Sequence, residues 1–560
     1  MKKTLSLILT VLMMFSLCTA VSALTPPEEV VHTSGDVKYR LESDDTAYIV
    51  GCAEDVTHLT IPSTVDGYKV RFISNYAFRQ NKTLESVVVE DGIEMIGFEA
   101  FYQCTSLKSI TLPDSVRDIH RRAFDYTSVY TNQDNWKDGA IYIGNHLVGA
   151  NEVRIGKTYQ VKEGTVSINC VAFEDNETIE QITFPDSLKA IGFMAFSGCK
   201  NLEKADLPAN LEHIGENAFS KCSKLESIVI PPTLKVINSY AFSNCDNAQI
   251  TLNDTLTHIE MGAFRGNEKL EELTLPQSLT SLGEWAFFGC KNLSTIDLPD
   301  SLTYIGSGVF GFTAFSKNKD NWTGDGLYLD GCLLEVNTDA KGIFTVAEGT
   351  EMIAGTALYC CEDITAVNLP EGLTFIGAQA FGDCFSLTRI NIPESLCSIS
   401  PWTFSGCTAL ERIYLHEDII NVGMGAFLDC TNLRAVTVAS KDTTFGEMAI
   451  GWQSITDPED GMHLGYELNK NTTIRGYSGS TAQEYAAANS IPFTEMTDST
   501  LTGDTDMDGK LSVKDATAIQ KFLADLYDLT DAQHKNADTT ADGSLTVRDA
   551  TAIQKTLADL

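Results

Sequence analysis

Residues 201–219 read NLEKADLPANLEHIGENAF, and residues 106–124 read SLKSITLPDSVRDIHRRAF. In the second stretch Ile110 and Leu112 flank Thr111, an alternation with period two that suits a strand rather than a helix. A proline, a second short strand and a turn ending on Ala-Phe follow. The dipeptide recurs as Ala77-Phe78, Ala100-Phe101, Ala123-Phe124, Ala172-Phe173, Ala195-Phe196, Ala218-Phe219 and Ala241-Phe242. It continues at Ala263-Phe264, Ala286-Phe287, Ala380-Phe381 and Ala426-Phe427, with Phe310, Leu358 and Phe404 holding register. The spacing is 23 residues nearly everywhere and slips once to 22. One such unit cannot bury its own apolar face, whereas stacked units share a continuous core.

Spacing, proline, glycine and Ala-Phe recur together, and on these residues the stretch 65–438 resembles BspA-like leucine-rich repeats. The resemblance implies a mainly β, right-handed solenoid with a parallel sheet along its concave face. Register breaks twice, near 125–163 and 313–349, and the two breaks resemble each other. NQDNWKDGAIYIGNHLV (132–148) stands against NKDNWTGDGLYLDGCLL (318–334), and each closes on Glu-Gly-Thr. An inserted, hairpin-like module replaces about one coil at each place. Residues 24–64 read as a β-rich N-terminal cap, and 439–496 as a closing cap with a short helix near Ala482 to Ala488. Open solenoid ends need such polar caps.

The 560 residues carry 40 Lys and Arg against 76 Asp and Glu, a net charge of −36. Nucleic acids and anionic membrane surfaces need clustered cations, so neither is an expected partner. Lys2 and Lys3, the apolar run LSLILTVLMMFSL and the small-residue site Val21-Ser22-Ala23 read as a secretory signal over 1–23. No small residue of the lipid-modification type precedes Cys18, and no later run of apolar residues is long enough to span a bilayer. A secreted bacterial protein is expected.

Fifteen cysteines would suit disulfides, but their positions argue otherwise. Cys104, Cys199, Cys222, Cys245, Cys290, Cys361, Cys384, Cys407 and Cys430 all fall three residues after the Phe position, and Asn267 takes that slot once. Stacked coils hold equivalent Cβ atoms about 4.8 Å apart with parallel vectors. A disulfide needs about 3.8 Å and convergence. Free buried thiols forming a packing ladder are expected, with Cys52, Cys332, Cys360 and Cys397 outside the pattern.

No catalytic motif or phosphate-cradling loop is present, and His120, His213 and His258 occupy variable outer positions of coils. The residue between the two apolar strand positions runs Thr111, Thr183, Asp206, Val229, Thr251, Thr274, Asp297, Asn368, Asn391 and Tyr414. This strip is small, polar and mildly acidic. Trp136 and Trp322 are the other aromatic candidates, and a hydrophobic plug for the inserted modules is the preferred reading of both.

The C-terminus writes one pattern twice, DTDMDGKLSVKD (504–515) and DTTADGSLTVRD (538–549), each running into DATAIQK. Calcium takes about six to eight oxygens, and alternating carboxylates with a Gly turn supply them. Asp504, Asp506, Asp508, the Lys510 carbonyl, Ser512 and Asp515 form the first candidate set. Asp538, Thr540, Asp542, Ser544, Thr546 and Asp549 form the second, weaker because Thr540 replaces a carboxylate. Asp at position 12 and the lack of a helix before the first loop depart from an ordinary EF-hand. The segment 503–560, after a linker at 497–502, resembles a type I-like dockerin, a small all-α calcium-binding module that plugs cellulosomal proteins into cohesins. The resemblance implies partner contacts at Val513, Lys514, Ile519, Gln520 and Lys521, and at Val547, Arg548, Ile553, Gln554 and Lys555. Many dockerins carry Ser-Thr where this chain has Val-Lys and Val-Arg, which bears on the cohesin type recognised.

The resemblances together imply a non-catalytic accessory protein of a cellulosome-like complex. It would display a repeat surface to a protein or carbohydrate ligand. A polysaccharide-degrading hydrolase or peptidase, and an adhesin for host or plant surfaces, are the alternatives.

Overall fold

The computed structural model describes residues 30–560 except 44, 457–462, 497–504, 506–512, 524–528, 530, 540–544 and 559–560. The segment 1–23, read from sequence as a secretory signal, and most of both candidate calcium loops therefore lie outside the described residues. The chain forms two compact units, Met1–Thr233 and Leu234–Leu560.

Each unit is a stack of coils, and each coil contributes to more than one hydrogen-bonded ladder. In the first unit, three-residue strands such as Gln181–Thr183 and Lys204–Asp206 pair in parallel, residue opposite residue. Two-residue strands such as Ser167–Ile168, Ala190–Ile191 and His213–Ile214 form a second parallel ladder. The sequence reading placed one sheet along the array, whereas there are two. The Ala-Phe turns add a third set of bonds. Phe101 N–H donates to the Ala123 carbonyl at 2.8 Å, and Phe196 N–H to the Ala218 carbonyl at 2.7 Å. The alanine must be small because its backbone is sandwiched between neighbouring coils, and both Ala195 and Ala218 are fully buried.

The phenylalanines stack face to face along each unit. Centroids lie 4.9 Å apart for Phe78–Phe101 and 5.0 Å for Phe196–Phe219, and 5.2 Å for both Phe381–Phe404 and Phe404–Phe427. Burial of each ring contributes about 1.5–3 kcal/mol, and the offset stacking adds to it.

The slot three residues after Phe does more than fill space. Cys199 Sγ donates to the Phe173 carbonyl of the preceding coil at 3.1 Å, Cys290 to Phe264 at 3.2 Å and Cys407 to Phe381 at 3.1 Å. Asn267 Nδ2 donates to both Phe242 and Phe264 carbonyls, at 2.9 and 2.7 Å. Asn81 and Asn176 also occupy the slot, where each Oδ1 accepts from the N–H two residues on, and Thr127 and Thr313, where the modules begin, donate to the Phe124 and Phe310 carbonyls. Every cysteine among the described residues is a free thiol. Burial pushes the thiols of Cys104, Cys199 and Cys290 up to about 12.

Two positions per turn sit in the left-handed region, two residues before and two after Phe. In the second unit an aromatic ring at the first position lies against a glycine in the next coil: Tyr240 on Gly262, Trp285 on Gly308, Trp402 on Gly425. A Cβ at Gly425 would stand 2.5 Å from Trp402 Cδ1.

The N-terminal stretch forms an antiparallel hairpin, Val37–Ser43 with Thr46–Cys52, whose second strand pairs in parallel with Tyr68–Ile73. His58–Ile61, inside the stretch read as a cap, already pairs with Ser86–Val89, so the ladder starts before residue 65. At the other end Phe493–Glu495 pairs with Thr473–Gly476, which pairs with Ala435–Val438, beneath the helix Thr481–Ala488.

Candidate functional site

The strip between the apolar strand positions is solvent-facing. Thr111, Thr183, Asp206 and Val229 are exposed in the first unit, and Thr251, Thr274, Asp297, Asn368 and Asn391 in the second. Tyr414, the one aromatic of the strip, is half-buried.

A polar cluster that sequence reading missed lies in the first unit. Asp118 Oδ2 is 3.0 Å from His120 Nε2, and Cys170 Sγ donates to Asp118 Oδ1 at 3.3 Å. The Asp118 hydrogen bond raises the His120 pKa, while burial lowers that of nearby His213. His120 and His213 are thus half-buried rather than outer-surface residues. Burial and the adjacent carboxylate push the Cys170 thiol well up, which opposes a nucleophilic role. No sequence signal found the cluster, because Asp118 and Cys170 are 52 residues apart and meet only across an inserted module.

The inserted modules share one internal logic. Thr127 Oγ1 caps the short helix Ser128–Thr131 by accepting from Tyr130 N–H, and Thr313 caps Ala314–Lys317 through Ser316 N–H. The Asn and Trp of each Asp-Asn-Trp then bond back to that helix. Asn135 Nδ2 donates to the Val129 carbonyl at 2.7 Å, and Asn321 Nδ2 to Phe315 at 2.9 Å. Trp136 Nε1 donates to the Tyr130 carbonyl at 2.8 Å, and Trp322 Nε1 to Ser316 at 2.9 Å. Both indoles are half-buried with their N–H groups satisfied, and Trp136 packs on the core, as the plug reading expects. A hairpin follows in each, Ala140–Ile143 with His146–Ala150 and Gly326–Leu329 with Cys332–Val336. His146, unremarked in the sequence, is fully buried between Ser167 Oγ and the Pro113 carbonyl, and burial lowers its pKa. It is a core histidine.

The BspA type leucine-rich repeat region model matches residues 54–147, 157–266, 235–319 and 344–457, well over half the chain. The chain belongs to the BspA type leucine-rich repeat family. The unmatched stretches within the array fall in the inserted modules. Among solved structures this BspA-type chain is similar to a leucine-rich cell surface protein of Faecalibacterium prausnitzii, at 22% identity over 75% of this chain and 95% of that one, TM-score 0.25. It is also similar to leucine-rich repeat proteins of Bacteroides ovatus (18% identity, 83% and 100% covered, TM-score 0.22) and Eubacterium ventriosum (20%, 70% and 92%, TM-score 0.25). No curated protein matches it. No helix among the described residues is long and apolar enough to cross a membrane.

In the tail of this family member, the described parts are three helices, Val513–Leu523, Asp531–Ala537 and Val547–Ala558. Ala516, Ile519, Ala537, Ala550 and Ile553 form their core. Ile519 and Ile553, expected at a partner face, are buried at 0% and 1% exposure and so face inward. Their neighbours Lys514, Gln520, Lys521, Val547, Arg548, Gln554 and Lys555 are exposed. Val513 opens the first helix.

Of the candidate calcium ligands, Asp504, Asp506, Asp508, Lys510, Ser512, Thr540, Asp542 and Ser544 lie outside the described residues. Asp515 and Asp549 are both fully buried at matching places in the first turns of their helices. Asp549 Oδ2 accepts from Thr546 N–H at 2.9 Å, and Arg548 N–H is 3.2 Å from Thr546 Oγ1, a helix-capping arrangement. Asp538 is half-buried.

Proposed function

We propose that the chain is an exported, non-catalytic recognition protein. Its repeat surface meets a protein partner, and its tail docks through calcium to a cohesin-type module of a larger, cellulosome-like assembly. The observation carrying the docking half is the pair of fully buried carboxylates, Asp515 and Asp549, at equivalent positions of two near-identical helices. Thr546 and Thr539 donate to Asp549, and both carboxylates stand at position 12 of an acidic loop, where a calcium loop places its closing ligand. Oxygen-only donors of this kind suit calcium, and these two residues would close the two sites. The exposed cations and amides on the same helices would then form the docking face.

Recognition by the array is supported by the solvent-facing polar strip and by the two modules that interrupt an otherwise regular ladder. The segment 1–23 supports export. Binding of the full chain to cohesin modules, with calcium and with a chelator, tests the docking half. Chelator-independent binding, or none to any cohesin, would reject it. Glycan-array binding set beside binding to a panel of purified extracellular proteins tests the array, and glycan binding alone would move the reading to a carbohydrate reader. Turnover of a polysaccharide or peptide that a point substitution abolishes would establish an enzyme instead.

A further inference from the structure

Where the first inserted module enters, the ladder of three-residue strands breaks. Ser109–Thr111 pairs only with Ser86–Val89, and Thr158–Gln160 only with Gln181–Thr183. These two open edges line one cleft of about 1010 Å³ within the first unit, together with Tyr142, Lys108, Lys137, Arg154 and Lys162. Asp134, Asp138 and Glu163 also line it, so cations outnumber acids in a chain whose acids outnumber cations nearly two to one. Lys108 Nζ pairs with Glu85 at 2.9 Å, Arg154 donates to Gln133 Oε1 at 3.1 Å, and Lys162 lies over the Tyr142 ring. The Tyr142 and Tyr159 hydroxyls share a 3.0 Å hydrogen bond at the wall.

The second module is an internal control. It repeats the capping threonine, the Asp-Asn-Trp bonds, and the tyrosine whose hydroxyl accepts a backbone N–H: Lys162 N–H to Tyr142, Ala347 N–H to Tyr328, both at 3.2 Å. Yet Lys108, Lys137 and Lys162 correspond there to Ser294, Thr323 and Ala347, and Tyr159 to Phe344; Arg154 has no cationic counterpart, because the turn after Asn337 is one residue shorter and buried Ala340 takes the place of Ile155. Asp134 and Glu163 persist as Asp320 and Glu348. What both modules keep is what the module needs to fold; the four cations belong to the first alone.

From this we infer that the first cleft receives an acidic, extended peptide segment of the protein partner, resting on the recognition role proposed above. The segment adds a strand between two edges that are already parallel to the rest of the ladder, so backbone hydrogen bonds supply affinity. Neighbouring rungs, Lys204-Ala205-Asp206 for one, bury their middle residue and expose the outer two. A rung added here therefore wants the order acid, apolar, acid, its carboxylates turned outward to Lys137, Arg154 and Lys162. Loss of any one exposed charge pair is a modest effect, and loss of three is additive to first order.

The test is fluorescence polarisation of a labelled peptide of alternating Asp and Val against the full chain. The comparison is the variant K137T/R154A/K162A, whose replacements at 137 and 162 are residues the second module already carries. Binding should weaken roughly tenfold in the variant, fall with added salt, and be lost when Asn replaces Asp in the peptide. Equal affinity for variant and parent, or for the Asn peptide, overturns the assignment. So does a silent peptide beside oligogalacturonate binding that the same three substitutions abolish, which would give the cations to an acidic sugar. If parent and variant capture the same purified extracellular protein equally, the recognition role stands and this cleft is not its seat.

Discussion

Replacing Gly425 by Ala separates two reasons for a glycine. Its φ of +58° is left-handed, but coils elsewhere hold Gln379 at +54° and Trp402 at +53° in the same position, so the backbone conformation alone does not demand glycine. The strain of an L side chain there is about 1–2 kcal/mol. The second reason is the Trp402 ring, which lies where the added methyl would go, 2.5 Å from Cδ1 and 2.6 Å from Nε1. Forcing the indole off its seat adds about 1–3 kcal/mol by overpacking. Gly425→Ala should therefore cost about 2–5 kcal/mol. In a Trp402→Ala background only the strain remains, so the double variant should be more stable than the sum of the singles by about 1–3 kcal/mol. Stacked coils need not unfold as one, so the readout is local hydrogen exchange. Two amides report directly: Trp402 N–H, bonded to the Met424 carbonyl, and Gly425 N–H, bonded to Glu447, each at 2.9 Å. Strict additivity would refute the reasoning and leave backbone strain as the whole cost.

Three further outcomes follow from the same geometry. The thiols of Cys104, Cys199 and Cys290 stand at about 12 in the folded chain against 9.0 ordinarily, so the folded state keeps protons that the unfolded state sheds. Their contribution to stability is full below pH 9 and is lost as pH rises towards 12; Tm measured across that window should fall steeply, and a flat profile would contradict buried free thiols. The first candidate calcium loop holds one more carboxylate than the second, so if both bind calcium as proposed, calorimetry should resolve a tighter and a weaker site, and Asp504→Ala should melt more of the tail than Asp538→Ala; equal affinities would show that Thr540 is no handicap. If the duplicated helices offer two interchangeable docking faces, Lys514→Asp with Lys521→Asp should weaken cohesin binding little. The same holds for Arg548→Asp with Lys555→Asp, and all four together should abolish it; abolition by either pair alone would mean a single face.

Much of the architecture was legible because stacking imposes identical demands on every coil. Phe404 must fit between Phe381 and Phe427, so its type recurs at fixed spacing. Cys407 was legible as a buried thiol for the same reason. Its hydrogen bond was not, since the acceptor is the Phe381 carbonyl and a backbone acceptor leaves no mark in sequence; Asn267, which donates to the Phe242 carbonyl from that slot, was the signal that the slot holds a donor. The pairing of Trp402 with Gly425 was equally hidden, because it alternates between coils rather than repeating in each. In the tail, Ile519 and Ile553 were read as a docking surface from resemblance. Their spacing from Ala516 and Ala550 places both on the apolar side of their helices, a helical period that could have assigned them to the core. Asp118 and Cys170 were beyond reach, since their contact depends on how an inserted module folds.

The breaks in the repeat carry a consequence for where new chemistry can arise in such a chain. Each inserted module restarts the ladder of two-residue strands, with His146–Ala150 on Ser167–Ile168 and Cys332–Val336 on Met352–Ile353, while Asp118–Ile119 and Tyr304–Ile305 end the stretches before them. The ladder of three-residue strands is interrupted there too, and among the described residues two of its strand edges are left open at each break. Within the regular ladder a residue that turns inward is constrained by its neighbours above and below, as the Phe and Cys columns show. At a break that constraint is lifted, and Lys137 and Lys162 stand where Thr323 and Ala347 suffice for folding. The repeat supplies the scaffold, and the interruption supplies positions whose residue type stability does not dictate.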